Sequence, residues 1–170
     1  MFEIIKRLFD ICLFRKGPQN LPSSVWWLRI WLVVDVMVSF LMVNISTDWL
    51  TALLQAIVSA LLIIGFSWLI LYVGRKRQRF YQTTIALLGT DALIGFIALP
   101  GMASMMTGKG VFLAFMVTVA LMIWHWVVAG HIIRNALGQT WTFSLGLAFL
   151  FILGSYQVIA LLFPEVAGVN

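Results

Sequence analysis

Charge is what this chain lacks most. Only 10% of its 170 residues are Asp, Glu, Lys or Arg, where a soluble domain carries about a quarter. Hydrophobic residues make up 62%, and the mean hydropathy is +1.04. Folded in water, such a chain would expose more apolar area than water tolerates, so a bilayer is its expected solvent. Cysteine is reduced to one residue, Cys12, which excludes an internal disulfide and a Cys cluster for zinc or iron–sulfur. That thiol reads as inert, on a lipid-facing helix. A Walker loop, a GxSxG elbow, an HExxH helix and a dinucleotide fingerprint are all missing, so no catalytic residue, metal or cofactor is expected.

Acids are the minority among the few charges, 6 against 11 basic residues, for a net charge of +5. The basic residues flank apolar runs, where they serve topology and contacts with anionic headgroups. Nucleic acid is not an expected partner, because loops this short hold no recognition fold.

What is present is a series of apolar runs, which predicts an all-α polytopic membrane helix bundle. Residues 1–24 read as an amphipathic helix and linker. Glu3, Lys6, Arg7 and Asp10 recur at steps of three and four and form one polar stripe, with Phe2, Ile5, Leu8, Phe9, Cys12 and Leu13 over the remainder. That pattern suits a helix lying in the membrane interface rather than a signal peptide, whose apolar run would not be broken by charges. Pro22 and the N-cap candidate Ser24 then lead into a transmembrane domain over 25–163. Five spans are expected there, over 25–43, 49–73, 81–106, 111–133 and 141–163, with a short tail at 164–170. Short connections make consecutive spans antiparallel neighbours. Ala52, Ala56 and Ala60 form a small-residue stripe for close helix packing, with Gln55 and Ser59 beside it. Pro100-Gly101 predicts a kink or break in the third span.

Lys6, Arg7, Arg15, Lys16, Arg29, Arg75, Lys76, Arg77, Arg79 and Arg134 all fall on the N-terminal side of this bundle, and Lys109 alone falls opposite. By the positive-inside rule the N-terminus is cytoplasmic and the C-terminus lies across the membrane, periplasmic in a bacterial inner membrane. The cluster Arg75, Lys76, Arg77 and Arg79 reads first as a topology anchor and second as a docking patch for anionic lipid or an acidic partner.

Two acids lie inside spans, Asp35 and Asp91, each roughly 15 Å deep by helix rise. At that depth an ionisable group should face the bundle interior. Asp35 shares a face with Ser39. Asp91 shares one with Thr84 and with Gly95, where a partner helix could come close. The pair could handle protons or cations. The blander and favoured reading keeps both protonated and hydrogen-bonded to Ser39, Gln55, Ser59, Thr90 or His125, as bundle glue. His125 is placed near the cytoplasmic end of the fourth span, as a partner for an acid or as an interfacial residue, and His131 and Arg134 among headgroups. His125 and His131 are six apart and do not share a face, which argues against a metal site on one helix.

The order of these features resembles a known family. RFYQTTIALLGTDALIGFIALPG has the polar-aromatic entry, the small residues and the terminal proline of a bacterial Yip-domain protein. WHWVVAGHIIRNALGQTWTFSLGLAFLF is similar to that family's last helical pair, and LFRKGPQNLPSS resembles small membrane proteins of Gram-negative bacteria. The resemblance implies a five-helix bundle of the Ypt-interacting type. Trafficking members of the family associate with small GTPases, but their acidic-aromatic motif is not found here, and the family supplies no catalytic residue. The expected function is therefore a non-enzymatic scaffold or accessory subunit that binds lipid and another membrane protein or a second copy of itself. The alternative is a small oligomeric transporter or ion- or proton-conducting protein using Asp35 and Asp91.

Overall fold

The computed structural model describes residues 2–106, 108 and 110–164, for Met106 the backbone alone. Lys109 and Glu165 lie outside them, as does all but Pro164 of the expected tail at 164–170. Among the described residues there are six α-helices, α1 (Phe2–Cys12), α2 (Val25–Val43), α3 (Trp49–Val73), α4 (Phe80–Met106), α5 (Val111–Leu137) and α6 (Trp141–Leu162). Helices α2 to α6 are each long and apolar enough to cross a membrane. The expected bundle of five spans behind a short amphipathic helix is what the chain forms.

Local chemistry sets the helix ends. Asp48 caps α3, its carboxylate accepting from the amides of Leu50 and Thr51 at 3.1 and 3.0 Å, which satisfies two of the four orphan donors of a helix start. Ser24 does occupy the N-cap position of α2, but its side chain makes no capping hydrogen bond. Gly138 ends α5 in the left-handed conformation (φ 68°), and its amide returns to the Arg134 carbonyl at 2.7 Å, an end that suits glycine because a Cβ would be strained there. The expected break at Pro100 does not occur. Helix α4 runs through it to Met106. A proline removes one backbone bond, and an otherwise apolar helix held by neighbours absorbs that loss.

Helix α4 is the axis of the bundle. It packs against α2, α3 and α5, and α1 lies on it as well, while α6 packs on α5 and reaches α3. Half of the apolar stretch of α4 is buried inside the protein, against 6% for α6, so α6 lies mostly at the outer surface of the bundle. Ala52, Ala56 and Ala60 are buried within the chain itself, so the small-residue stripe serves packing among the chain's own helices. The start of α4 lies beside the entry to α2, where Gln82 donates to the Leu21 carbonyl at 2.9 Å. The end of α3 lies beside the end of α5, where Lys76 meets Leu137. These termini define one basic end of the bundle.

Helix α1 does more than float. Ile4, Leu8, Ile11 and Cys12 are buried where α1 packs on α4 and α5. Gly89 makes room for it, since a Cβ there would stand 2.7 Å from Leu8 Cδ1. The segment after α1 is strapped down too. Trp124 Nε1 donates to the Cys12 carbonyl at 3.0 Å, and Arg7 donates to the Asn20 carbonyl at 2.7 Å. Cys12 is thus covered by protein, not lipid-facing as expected, and burial pushes its thiol up to about 11. His131 is likewise not among headgroups. It is buried, donates through Nε2 to the Lys16 carbonyl at 2.9 Å, and meets the Phe14 and Trp141 rings edge-on. Arg134 sits over the Trp141 ring at 5.5 Å.

Candidate functional site

Three helices bring their ionisable residues together at mid-height. Asp35 lies near the middle of α2 and Asp91 near the middle of α4. His125 is also central, not near a helix end as expected, because α5 continues to Leu137 rather than stopping at 133. Gly95, one turn beyond Asp91, lets α2 come close: a Cβ there would stand 3.1 Å from Val38 Cγ1 and 3.2 Å from Met42 Sδ. That contact sets the two acids side by side.

Asp35 is fully buried, and neither of its oxygens receives a hydrogen bond from a protein donor. The favoured reading of Asp35 as glue therefore fails in its detail, since Ser39, Gln55, Ser59 and Thr90 do not donate to it. Thr90 spends its hydroxyl on the Ala86 carbonyl at 2.8 Å, and the Gln55 Oε1 is itself buried without a partner. The charged group that bears on Asp35 is the Asp91 carboxyl, across the α2–α4 interface. Ionised carboxylates only accept, so any bond between the two would need a proton on one of them. On its other side, Asp91 Oδ1 stands 3.1 Å from His125 Nε2. Three exchangeable groups, Asp35, Asp91 and His125, are thus gathered from α2, α4 and α5, with Asp91 and His125 in direct contact.

Two cavities touch this cluster. One, of about 270 Å³, extends from Asp91 and His125 past Ser39, Gly95 and Thr118 toward Val43 and Met102, away from the basic end. The other, of about 140 Å³, is lined by Ile63, Leu87, Ala129, Phe151 and Ser155 and reaches the same pair between α3 and α6. Ser59, Asp91 and His125 line both. The side chains common to both cavities are therefore polar, in walls that are otherwise mostly apolar. Among the described residues no group of three His, Cys, Asp or Glu side chains is arranged to hold a metal ion.

The basic cluster divides in two. Lys76 Nζ donates to the Leu137 carbonyl at 2.7 Å, and Arg79 to the Asn135 and Ala136 carbonyls at 2.9 and 3.2 Å. Both therefore cap the C-terminus of α5, where orphan carbonyls and the helix dipole favour a cation. Arg75 and Arg77 point elsewhere and are exposed, Arg77 lying over the Tyr72 ring at 4.0 Å. No sequence pattern announced the capping pair, because the carbonyls it serves are more than fifty residues away.

Fold and site together define a multi-pass membrane helix bundle with an ionisable core. Comparison with protein-family models, with curated proteins and with solved structures gives no match.

Proposed function

We propose that this chain is a small membrane transporter or conductor of protons or compact cations, with Asp91 as its central binding group. The observation that carries this reading is the Asp91–His125 pair, midway along the spans where two cavities meet, with the buried, donorless carboxyl of Asp35 beside it. Carboxyls held without other donors are costly in a bilayer, and that cost is commonly tied to function. The three groups can pass a proton between α2 and α5 or yield it to a cation entering either cavity. In this reading Asp35 shares the proton, His125 relays it, and Ser39 and Ser59 line the approaches.

Ten of the eleven Lys and Arg residues flank the N-terminal side, which supports a cytoplasmic N-terminus in a bacterial inner membrane. Membership of the Yip-type family is a proposal carried by the motifs quoted above and adds nothing to this site. The accessory-subunit reading has less behind it, because Ala52, Ala56 and Ala60 are covered by the chain itself.

Reconstitution into liposomes with a trapped pH dye tests the proposal. An imposed potential should drive proton movement through wild-type protein and not through Asp91→Asn. Wild-type vesicles no more permeable than empty ones, to protons and to sodium and ammonium alike, would overturn it.

A further inference from the structure

The apolar groove between α3 and α6 opens at the basic end, and its neighbouring cations are those that the fold does not use. We infer that this groove and the adjoining Arg75–Arg77 cleft bind one anionic phospholipid, a chain lying in the groove and the phosphate on the two guanidinium groups. The groove encloses about 410 Å³ and is walled by Leu69, Val73, Phe143 and Leu147, with Gln139 the sole polar side chain lining it. Deeper in the bundle it is closed by Phe66, which stacks on Phe151 with ring centroids 4.1 Å apart. From Phe66 to Val73 it runs roughly 10 Å along α3, enough for part of an acyl chain.

At the end of α3 the chemistry changes within two residues. Val73 and Gly74 border the groove, and Tyr72, Arg75, Arg77 and Gln78 line the cleft beside it. Arg75 takes a left-handed conformation (φ 53°) that turns the chain out of α3. Its guanidinium has no hydrogen bond or ion pair among the described residues, and that of Arg77 rests on Tyr72. Lys76 and Arg79, between and beside them, are engaged by the end of α5. Helix capping therefore accounts for half of the cluster and leaves a pair of guanidinium forks, whose geometry matches phosphate oxygens. An apolar slot ending at two cations, neither of them hydrogen-bonded or ion-paired through its side chain among the described residues, selects an amphiphile with a negative head. A zwitterionic lipid brings its own cation to the same place and is the poorer fit.

Native mass spectrometry of the detergent-purified protein, offered phosphatidylglycerol and phosphatidylcholine in equal amounts, tests the site. Wild-type protein should retain phosphatidylglycerol preferentially. Each of Arg75→Gln and Arg77→Gln should cut that preference about fivefold, and the double variant should abolish it. Leu69→Trp, which fills the groove and leaves both arginines in place, should reduce lipid retention. Soluble glycerol 3-phosphate should fail to displace the lipid. Equal retention of both lipids, an unchanged preference in the double variant, no effect of Leu69→Trp, or displacement by glycerol 3-phosphate would each overturn the assignment.

Discussion

His125 Nε2 stands 3.1 Å from Asp91 Oδ1 across the interface of α4 and α5, and this contact joins the two cavities of the bundle at one pair of side chains. On the far side of Asp91 lies Asp35, buried and without a protein donor. Glue would be built differently. Structural polar groups in membrane bundles bond to hydroxyls, amides or backbone carbonyls of a neighbouring helix, and Asp35 has none of these.

Replacing Asp35 with Leu separates structure from function. The variant removes a buried carboxyl that accepts no protein hydrogen bond, so thermal unfolding in detergent should show a gain of about 1–3 kcal/mol. Proton movement in liposomes should be lost at the same time. A destabilised Asp35→Leu would mean that the acid holds the helices together.

Cys12 should resist maleimide in the folded protein at pH 8 and react once the protein is unfolded in strong detergent. Its thiol is buried under α4 and α5 and ionises only at about 11, so little thiolate is available. Gly89→Val should release it. The added side chain collides with Leu8, and the resulting overpacking costs about 1–3 kcal/mol and lifts α1. Cys12 labelling in Gly89→Val at the wild-type rate would contradict the packing of α1.

Lys76→Met and Arg79→Met should each destabilise the bundle by about 1–2 kcal/mol, because carbonyls at the end of α5 lose a charged partner. Arg75→Met and Arg77→Met should leave the unfolding temperature unchanged. Measuring the four variants side by side checks whether the cluster divides as described.

Asp48 should make the start of α3 sensitive to acid. Hydrogen bonds from the Thr51 and Leu50 amides hold its carboxyl below the usual carboxylate range. A group depressed on folding contributes stability above its unfolded value, near 4, and that contribution fades as pH falls through the folded value. Hydrogen exchange at Leu50 and Thr51 should therefore be slow at neutral pH relative to its intrinsic rate and lose that protection only in acid below the ordinary carboxylate range. In Asp48→Ala the protection should be missing at every pH. Asp48→Asn should keep it without the acid dependence, since an amide oxygen also caps.

The spans were legible because apolar runs bounded by basic residues, Asn44–Asp48 and Gly138 leave little choice of where helices begin and end. Legible too were the inward placement of Asp35 and Asp91 and the burial of Ala52, Ala56 and Ala60, since each follows from helical spacing and the cost of a polar group in lipid. That His125 could partner an acid was legible as one alternative, but which acid it meets, and that Asp91 neighbours Asp35, was not. Both depend on α4 packing beside α2 as well as α5, and short loops specify neighbours in sequence only. What was not legible in α1 is the surface it packs on, and with it the burial of Cys12. Ile4 and Ile11 extend its apolar surface beyond the face that a lipid-lying helix needs, and that second face is the one α1 buries. His131 followed it, because the segment covering it comes from Phe14 and Lys16, more than a hundred residues earlier. At Pro100 the helix continues, so of the two expectations there, kink or break, the break is the one that fails.

Infrared difference spectroscopy of the protein in lipid, recorded as the pH of the medium is stepped, tests the exchangeable proton most directly. The account predicts a protonated-carboxyl band that responds to the medium and disappears in both Asp35→Asn and Asp91→Asn. The absence of such a band from the wild-type protein, or a band that stays fixed at every pH at which the protein is folded, would contradict it.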